Sequence, residues 1–576
     1  MTSVADNFVT ELKASGVRRV YGIPGDSLNG FTDALRRDGD LAWIHVRHEE
    51  AAALAAEGEA AATGELAVCV GSCGPGNTHL VNGLYDANRN RVPVLAIAAH
   101  IPSDEVGSEY FQETHPTRLF QDCAVYVELV QSPETAQRIL RMAMRAAVEQ
   151  QGVAVVVISG DIFHSVVDAI RDPAPIRAAE VEARPSGSEI EKAAALINGS
   201  GPVTILAGYG ARDAREQVLE LADKLKAPVV HTFRAKQFFE HDNPYDVGLT
   251  GLLGFTSGYK AIVEADTLLM LGTDFPYRQF LPEKANVIQV DIRGSHLGRR
   301  SKLDLGLVGT VADTVAALLP AVDAVTDTKH LDRARAHYIR TRASLDDLAI
   351  DDQRTPLHPQ YLTRTVDRAA DDDALFTFDV GSVTTWTARY LSMNGTRGLY
   401  GSFNHGSMAT AVSNAIGVQA AFPDRQVIAL AGDGGLTMML GELFTLVQNR
   451  LPVKIVVFNN GSLNLVELEM KAAGIVNFGT ELHNPDFTAM ARGIGLEARK
   501  VTDAEDLDES LRFLLDHDGP ALLEVVTARQ ELSIPPAVSL EQAKGFTLYA
   551  IRTILSGRGE ELLDLVTTNV ARRILD

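Results

Sequence analysis

The chain reads QVIALAGDGGLTMMLGELFTLVQNRLPVKIVVFNNGS over residues 426–462. The apolar runs at 426–431 and 453–458 predict two strands, and the residues between them predict a glycine-rich turn followed by a helix. Short β-branched strands joined by a helix are typical of a parallel sheet that is buried on both faces. The stretch therefore predicts an α/β unit.

Similar strand-like runs recur along most of the chain, at 66–70, 92–98, 153–158, 203–207, 267–271 and 287–292. This alternation predicts an α/β protein with three doubly wound parallel-sheet domains. Stretches without periodicity at 168–188, rich in proline, and at 344–356, which is acidic, are predicted linkers. They divide the chain into domains at 1–180, 185–335 and 356–530, followed by a tail at 531–576.

The first and third domains share a faint repeat. In the first domain a strand leads to the turn at 71–76, then a helix, then Asn-Arg-Val-Pro-Val at 90–94. In the third domain a strand leads to the turn at 432–435, then a helix, then Asn-Arg-Leu-Pro-Val at 449–453. The similarity suggests two related domains around a different middle one, and chance similarity between two such units is the alternative.

Length and composition narrow the class of protein. A chain of 576 residues is too long for one hydrophobic core, and 46% hydrophobic with 22% charged residues is typical of a globular protein. The net charge of -22 argues against a nucleic-acid partner, which needs clustered Lys and Arg. Three cysteines without paired metal-ligand spacing predict reduced thiols in a cytoplasmic protein, and the lack of a signal peptide and of an apolar run of about 20 residues predicts that it is soluble or attached to a membrane only peripherally.

The turn at 432–435 and the Asn-Asn pair at 459–460 predict a diphosphate and metal site. Glycines at a strand end let the backbone approach phosphate oxygens. The Asp433 carboxylate, the Asn460 amide oxygen and the Ser462 backbone carbonyl suit Mg²⁺, and the carboxyl ends of parallel strands meet at one edge. An acidic turn followed by an unrelated polar turn is the alternative. The spacing of Gly-Asp-Gly and Asn-Asn, about twenty-five residues, resembles the thiamine-diphosphate fingerprint.

The segment Arg-His-Glu-Glu-Ala-Ala-Ala at 47–53 supplies a candidate carboxylate, Glu49, before an alanine-rich helix. Its residues alone favour an ordinary acidic first turn of a helix, where carboxylates interact well with the helix dipole. In the thiamine-diphosphate enzymes that the chain resembles, a Glu at this position contacts N1′ of the aminopyrimidine and favours the imino tautomer. The resemblance therefore assigns proton handling to Glu49.

The resemblance extends from one end of the chain to the other. It is carried by GDSLN at 25–29, GELAVC at 64–69, GSCGPGN at 71–77, FQETHP at 111–116, DNPYDVG at 242–248, GSFNHGSM at 401–408, IPP at 534–536, EQAKGF at 541–546 and SGRG at 556–559. These stretches resemble the flavin-containing pyruvate:quinone oxidoreductases of the thiamine-diphosphate superfamily. The resemblance implies oxidative decarboxylation of pyruvate to acetate and CO2, with electrons passing through FAD to a membrane quinone.

The resemblance also implies a homotetramer with active sites between paired subunits, in which Glu49 serves cofactor held by another subunit's Asp433 and Asn460. Met408 would bend the cofactor, and a gap-filling core methionine is the alternative. Phe111 and Gln112 would line the approach of substrate and flavin. Without the resemblance they are an ordinary buried aromatic and a turn residue.

The residues expected to bind the cofactors follow by position. Those expected at thiamine diphosphate are Ser72, Pro75, His79, Gly381, His405, Gly406, Ser407, Met408, Asp433, Gly434, Gly435, Asn460, Gly461, Ser462, Leu463, Asn464, Leu465 and Val466, with Asp433, Asn460 and Ser462 at Mg²⁺. Those expected at FAD are Gly208, Gly210, Thr250, Gly251, Leu252, Leu253, Gly254, Gly272, Thr273, Asp274, Phe275, Pro276, Tyr277, Arg278, Asp291 and Ile292. Each flavin segment alone is weak, because a single Gly-x-Gly is more often a plain loop. Asn464-Leu465 departs from the Gly-Phe of close relatives.

The tail sequence predicts an amphipathic helix at 560–576, with one apolar face formed by Leu562, Leu563, Leu565, Val566, Val570 and Ile574. The resemblance predicts a lipid-binding, activity-gating element at the inner face of the cell membrane, and a docked terminal helix is the alternative. For the activity, the alternatives are an acetolactate-synthase-type carboligase with structural FAD, an oxygen- and phosphate-using pyruvate oxidase, and a catalytically silent membrane-associated binding protein.

Overall fold

The computed structural model of the protein describes residues 2–179, 181–350, 355–531 and 548–549. These residues form three six-stranded parallel sheets, one after another along the chain, with helices between the strands. The predicted α/β class with three doubly wound domains is confirmed. The predicted tail helix at 560–576 lies outside the described residues.

The first sheet has the strand order β3-β2-β4-β5-β7-β6. Its strands are β2 (Arg19–Gly22), β3 (Ala42–His45), β4 (Ala67–Gly71), β5 (Val94–His100), β6 (Tyr126–Val130) and β7 (Val153–Ser159), and a short antiparallel pair joins β1 (Thr2–Ser3) to β8 (Val166–Val167). The helices are α1 (Val4–Ala14), α2 (Asn29–Asp38), α3 (Glu49–Thr63), α4 (Pro75–Asn90), α5 (Pro116–Leu119), α6 (Pro133–Gln150) and α7 (Gly160–His164).

The middle sheet has the order β11-β10-β9-β12-β13-β14. Its strands are β9 (Val203–Ala207), β10 (Val229–His231), β11 (Asp246–Leu249), β12 (Thr267–Leu271), β13 (Asn286–Asp291) and β14 (Leu305–Val308). The helices are α8 (Gly187–Asn198), α9 (Arg215–Leu225), α10 (Lys236–Phe239), α11 (Thr256–Val263), α12 (Val311–Leu318) and α13 (Lys329–Asp347).

The third sheet has the order β16-β15-β17-β18-β20-β19. Its strands are β15 (Leu375–Phe378), β16 (Gly398–Gly401), β17 (Val427–Gly432), β18 (Lys454–Asn459), β19 (Glu497–Val501) and β20 (Ala521–Val526). The helices are α14 (Pro359–Ala369), α15 (Ser382–Tyr390), α16 (Thr410–Ala421), α17 (Asp433–Met438), α18 (Glu442–Asn449), α19 (Asn464–Ala472), α20 (Phe487–Ile494) and α21 (Leu507–Asp516).

The first and third sheets have the same topology. Counted from the first strand of each sheet, both have the order second, first, third, fourth, sixth, fifth. The middle sheet instead has the order third, second, first, fourth, fifth, sixth, which is the order found in dinucleotide-binding folds. This shared order supports the repeat that the sequence suggests, with a different domain between the two copies.

The first and third domains share one continuous hydrophobic core at the contact of α3 with α16. Small residues allow this contact, because a methyl group at Gly417 would collide with the Ala55 carbonyl and one at Gly58 would lie 2.5 Å from the Asn414 carbonyl oxygen. The alanine-rich sequence of α3 is thus explained by close packing between two helices of different domains.

The predicted linkers have different outcomes. Residues 168–186 contain no helix or strand among those described, as predicted. The linker predicted at 344–356 is wrong at its beginning, because α13 continues to Asp347. There Arg342 and Asp346 form an i,i+4 ion pair at 2.7 Å and Leu345 packs against the third-domain core, so an acidic stretch is held in a helix.

Candidate active site

The third sheet has a cleft at the carboxyl ends of β15 and β17. β16 lies on the outer side of β15 and β18 on the outer side of β17, so the chain continues from these two parallel strands toward opposite edges of the sheet. Such a switch point is where ligands of open α/β sheets bind. The cleft contains many of the predicted residues: Gly381, Met408, Asp433, Gly434, Gly435, Asn460, Ser462, Leu463, Asn464, Leu465 and Val466. In the part of the chain that the structure describes, all of its lining residues lie between 359 and 528, in the third domain.

Asp433 joins the ends of two neighbouring strands. It is buried at the start of α17, its Oδ1 accepts the Gly434 N–H at 2.9 Å, and its Oδ2 accepts the Gly461 N–H at 2.7 Å. Gly461 has a φ of +66°, a conformation that glycine adopts without strain. The Asn460 Oδ1 accepts the Ser462 N–H at 2.9 Å and thereby shapes the same turn.

The donor set of this cleft fits a hard divalent cation. A carboxylate oxygen of Asp433 and an amide oxygen of Asn460 both line it, and oxygen ligands of this kind suit Mg²⁺. Burial raises the pKa of Asp433, so a bound cation would compensate for the cost of its charge. Within the described ranges no cluster of three His, Cys, Asp or Glu side chains could hold a metal.

The glycines of the turn create the space for a diphosphate. A methyl group at Gly434 would lie 2.9 Å from Leu463 Cδ2 and 3.3 Å from Met408 Cε, and one at Gly435 would collide with the Asp379 carboxylate. At Gly434 the backbone therefore approaches the cleft residues Leu463 and Met408 more closely than a larger residue would allow, and Gly435 permits the close packing of Asp379 under the turn. Met408 reaches this turn from the segment before α16, so it is a cleft residue as predicted.

Two residues that sequence reasoning missed support this turn. Asp379, one residue after β15, is buried, and its carboxylate accepts the Ala411 N–H at 2.9 Å and the Gly432 N–H at 3.2 Å. Asn484 donates to Asp433 Oδ2 at 2.8 Å. An aspartate directly after a buried strand could have indicated Asp379, whereas no local pattern marks Asn484.

Glu49 is the first residue of α3 and is buried. Its Oε2 lies 2.9 Å from His79 Nδ1, and the His79 ring stacks on His48 with 4.3 Å between centroids. His48 in turn caps the helix, because its Nδ1 accepts the Glu50 N–H at 3.2 Å. The predicted first-domain residues Ser72 and Pro75 lie on the loop and helix start beside it, but none of this group lines the cleft of its own chain.

The segment that leads to Met408 is held by the first domain. The N–H groups of Gly406 and Ser407 donate to the Ser402 hydroxyl at 2.8 and 2.9 Å. Asn82 of α4 donates to Ser407 Oγ at 2.9 Å and lies 3.0 Å from His405 Nε2. The predicted residues His405, Gly406 and Ser407 do not line the cleft. Through these contacts they hold the backbone that leads to Met408, which does line it.

Phe111 and Gln112 lie in a first-domain loop, away from the lining of the third-domain cleft. The buried-aromatic interpretation of Phe111 is wrong, because its side chain is 78% exposed. Gln112 has a φ of +62° and its side chain accepts from Cys73 Sγ at 3.4 Å. An exposed phenylalanine in a loop can be contacted by a ligand or a second chain, whereas a buried ring could not.

The middle sheet has its own switch point, between β9 and β12, and the predicted flavin segments meet there. Methyl groups at Gly208, Gly210 or Gly272 would collide with the facing loop, so these loops are in backbone contact. A methyl group at Gly251 would lie 3.0 Å from Cζ of the Phe275 ring. The turn at 250–254 therefore lies beside the segment at 273–278. The strand order and this glycine contact fit a dinucleotide crevice.

Asp291 is the last residue of β13, as predicted, and it is buried with its Oδ1 accepting the Arg293 N–H at 2.8 Å. Ile292 lies just beyond the strand and is half exposed. Sequence reasoning missed two arginines at this edge, Arg234 and Arg212, whose guanidinium carbons lie 3.6 and 4.5 Å from the Tyr209 ring centroid. Their positive charge beside Gly208 suits an anionic diphosphate.

Family models identify all three domains. The N-terminal thiamine pyrophosphate (TPP) binding domain of thiamine pyrophosphate enzymes matches residues 2–119, the central domain matches 190–318, and the C-terminal TPP binding domain matches 379–525. The chain belongs to the thiamine pyrophosphate enzyme family. It is therefore a thiamine-diphosphate-dependent enzyme, and its first and third sheets are the two cofactor-binding domains.

Relatives of this thiamine pyrophosphate enzyme have more than one activity in their names. A Bacillus subtilis protein named as thiamine pyrophosphate-containing, YdaP, is 37% identical over 97% of this chain and 98% of its own. The pyruvate oxidase of Lactiplantibacillus plantarum is 32% identical over 89% of this chain and 87% of its own. The acetolactate synthase isozyme 1 large subunit of Escherichia coli is 31% identical over 94% of this chain and 97% of its own. Family membership thus leaves the acceptor of the reaction open.

Among the described helices of this thiamine pyrophosphate enzyme, none combines the length and the apolar character needed to cross a bilayer.

Proposed function

We propose that this enzyme oxidatively decarboxylates pyruvate: pyruvate, water and a quinone give acetate, CO2 and the reduced quinone. The observation that carries the proposal is a dinucleotide-type crevice in the same chain as a thiamine-diphosphate site, with glycine loops in contact at the middle switch point. The pyruvate oxidase relative supports pyruvate as the substrate.

The protein groups have separate tasks. The oxygens of Asp433, Asn460 and the Ser462 backbone would hold Mg²⁺ and, through it, the diphosphate. When bound, thiamine diphosphate supplies an acidic carbon that adds to the ketone and accepts the electrons left by CO2. Glu49 would hold a proton at its carboxylate beside N1′ of the aminopyrimidine, with His79 fixing the orientation of Oε2 at 2.9 Å.

The arrangement of these groups favours an assembly of chains. Among the described residues the cleft is lined by the third domain alone, whereas Glu49 and His79 belong to the first domain. A second copy that presents its first domain to the cleft would complete the site. We therefore propose paired subunits within a homotetramer, and the exposed Phe111 fits the surface that would face the partner's cleft.

The electrons would leave through FAD in the middle crevice to a quinone. The segments at 208–210, 250–254 and 272–278 would hold the flavin, and Asp291 would accept hydrogen bonds from its ribose. The tail at 531–576 would bind lipid at the inner face of the cell membrane and bring the quinone within reach. Deleting 560–576 and measuring vesicle co-sedimentation and quinone reductase activity tests this, and unchanged values for both would contradict the membrane role of the segment.

A second candidate is an acetolactate-synthase-type activity, which the Escherichia coli relative favours at 31% identity. Under that reading a second pyruvate is the acceptor and FAD has no redox role. The oxygen- and phosphate-using pyruvate oxidase reaction, which gives acetyl phosphate, differs from the proposed reaction in its acceptors: oxygen replaces the quinone and phosphate replaces water.

One experiment separates these activities. Purified enzyme is mixed anaerobically with pyruvate, and the flavin absorbance is followed, with parallel turnover assays using a quinone analogue, oxygen plus phosphate, or no added acceptor. We expect a yellow protein whose flavin bleaches with pyruvate and whose turnover is supported best by the quinone analogue. A flavin that stays oxidised while acetolactate accumulates would contradict the proposal and favour the synthase.

A further inference from the structure

A carboxylate of the third domain reaches the backbone immediately before Glu49. Glu442, the first residue of α18, is 1% exposed. Its Oε1 and Oε2 accept the Arg47 N–H at 3.1 and 3.3 Å, and the Thr445 hydroxyl donates to Oε2 at 2.7 Å. Glu442 therefore holds a point two residues from the carboxylate assigned to proton handling.

The contact with this turn extends along α18. Asn449 donates to the His45 carbonyl at 3.0 Å, and the Arg47 guanidinium donates to Gln448 Oε1 at 2.5 Å. The segment at 45–47 is thus held from the third domain by backbone contacts at both ends and by one side-chain contact that is more exposed.

A buried carboxylate is a costly choice for a contact that only has to pack. Burial raises the pKa of Glu442 to about 7, and the hydroxyl of Thr445 and the amides of Arg47 and His48 act in the opposite direction. An apolar side chain would fill the same space without this penalty. What the carboxylate adds is a pair of acceptors directed at the turn before α3.

We infer that Glu442 is a positioning residue that holds the turn at 47–48 so that Glu49 is presented to the cofactor in the geometry needed for proton transfer. The inference rests on the role proposed for Glu49. It also connects two parts of one chain, because Glu442 follows the metal-site residue Asp433 by only nine residues. The segment that holds the diphosphate side of one site thus also orients the carboxylate of the first domain.

The test uses full-length holoenzyme and follows exchange of the C2 proton of bound thiamine diphosphate with D2O, by rapid quench and NMR. Glu442→Ala removes both acceptors and Glu442→Asp withdraws them by one methylene, and we expect both to slow exchange by about 10–10²-fold, the effect of a displacement near 1 Å. Glu442→Gln keeps one oxygen acceptor, so we expect exchange within about threefold of the parent, in line with the loss of one modest hydrogen bond. Gln448→Ala is the matched control, since it removes only the side-chain contact of the same interface, and we expect exchange at the parent rate.

A second readout needs no cofactor. Hydrogen–deuterium exchange of the peptide containing Arg47 and His48 should be faster in Glu442→Ala and Glu442→Asp than in the parent apoenzyme, and unchanged in Gln448→Ala. If Glu442→Ala or Glu442→Asp folds and keeps the parental C2 exchange rate, the inference is overturned, whatever the amide exchange shows. If Glu442→Ala yields no soluble protein, Glu442→Asp decides on the same terms.

A reference variant separates failure of this inference from failure of the proposed function. Glu49→Gln should slow C2 exchange at least as much as Glu442→Ala. Parental exchange in Glu49→Gln would overturn the role of Glu49 and the inference together, whereas slow exchange there with parental exchange in Glu442→Ala would overturn the inference alone. C2 exchange is measured before any substrate or acceptor is added. The result therefore does not depend on whether a quinone or a second pyruvate is the acceptor of the reaction.

Discussion

Asp379 offers the most direct test of how the diphosphate turn is held. Its carboxylate is buried under the turn and accepts the N–H groups of Ala411, in the first turn of α16, and Gly432, one residue before Asp433. In Asp379→Ala both amides lose their acceptor. An unsatisfied buried amide costs about 1–3 kcal/mol, so the two together predict a loss of roughly 2–6 kcal/mol.

The assay for Asp379→Ala is thermal unfolding of the apoenzyme and of enzyme with excess Mg²⁺ and thiamine diphosphate. For a domain of this size each kcal/mol lowers the unfolding temperature by about 2–4 °C, so we expect a fall of roughly 5–20 °C. The cofactor should raise the unfolding temperature less in the variant than in the parent, because the turn that receives the diphosphate has lost its support. Burial raises the pKa of Asp379 to about 6, so ionisation costs the parent stability as the pH rises through 6, and the fall in unfolding temperature should be smaller at pH 8 than at pH 5.

Asp372→Ala is the control, since Asp372 lies in the same domain with an exposed side chain. It should unfold within about 1–2 °C of the parent, as surface substitutions usually do. An Asp379→Ala enzyme that unfolds at the control temperature and is stabilised by the cofactor like the parent would refute the reasoning. That result would mean that the two amides find other acceptors or that the turn is held elsewhere.

Three further predictions concern single carboxylates. Glu49→Gln should lower turnover by about 10²–10⁴-fold, the usual loss for one proton-handling group, while thiamine diphosphate is retained after gel filtration; near-parental turnover would contradict its assignment. Asp433→Ala should weaken Mg²⁺ and thiamine diphosphate together by about 10-fold or more in a titration, whereas the exposed Asp424→Ala should not. For Asp246, burial and then the charge of Glu240 raise the pKa from 3.8 to about 7, so ionisation disfavours the folded state and stability is lost as pH rises through 7, by at most roughly 4 kcal/mol. The unfolding temperature of Asp246→Asn minus that of the parent should therefore be larger at pH 8 than at pH 5. An equal difference at both pH values would show that this carboxyl does not titrate as expected.

The sequence was sufficient for the positions of many strands along the chain and for placing Asp433 and Asn460 at one edge of a sheet. The runs at 203–207 and 267–271 are strands with the predicted bounds, because fully buried parallel strands need continuous apolar residues. Asp433 and Asn460 were identifiable since parallel strands place their carboxyl ends at one edge whatever the rest of the chain does. Local chemistry at strand ends is readable without a structure.

Other features depend on residues that are far apart in the chain. The end of α13 was missed because its acidic residues are held by Arg342 and by packing of Leu345 on another domain. For Phe111 the residues alone, without the resemblance, indicate an ordinary buried aromatic, and only the folded loop reveals that its ring is exposed.

Asn484 and Glu442 carry no local signal of their roles, and Asp379 has only its position directly after a buried strand. Each is defined by the backbone or side chain it meets after folding: Asp379 by an amide 53 residues away, Asn484 by a carboxylate 51 residues away, and Glu442 by an amide 395 residues away. Periodicity and turn chemistry describe neighbours in sequence, so they locate the residues that form a site at strand ends. The groups that hold those residues in place are selected by long-range packing, which only the folded chain decides.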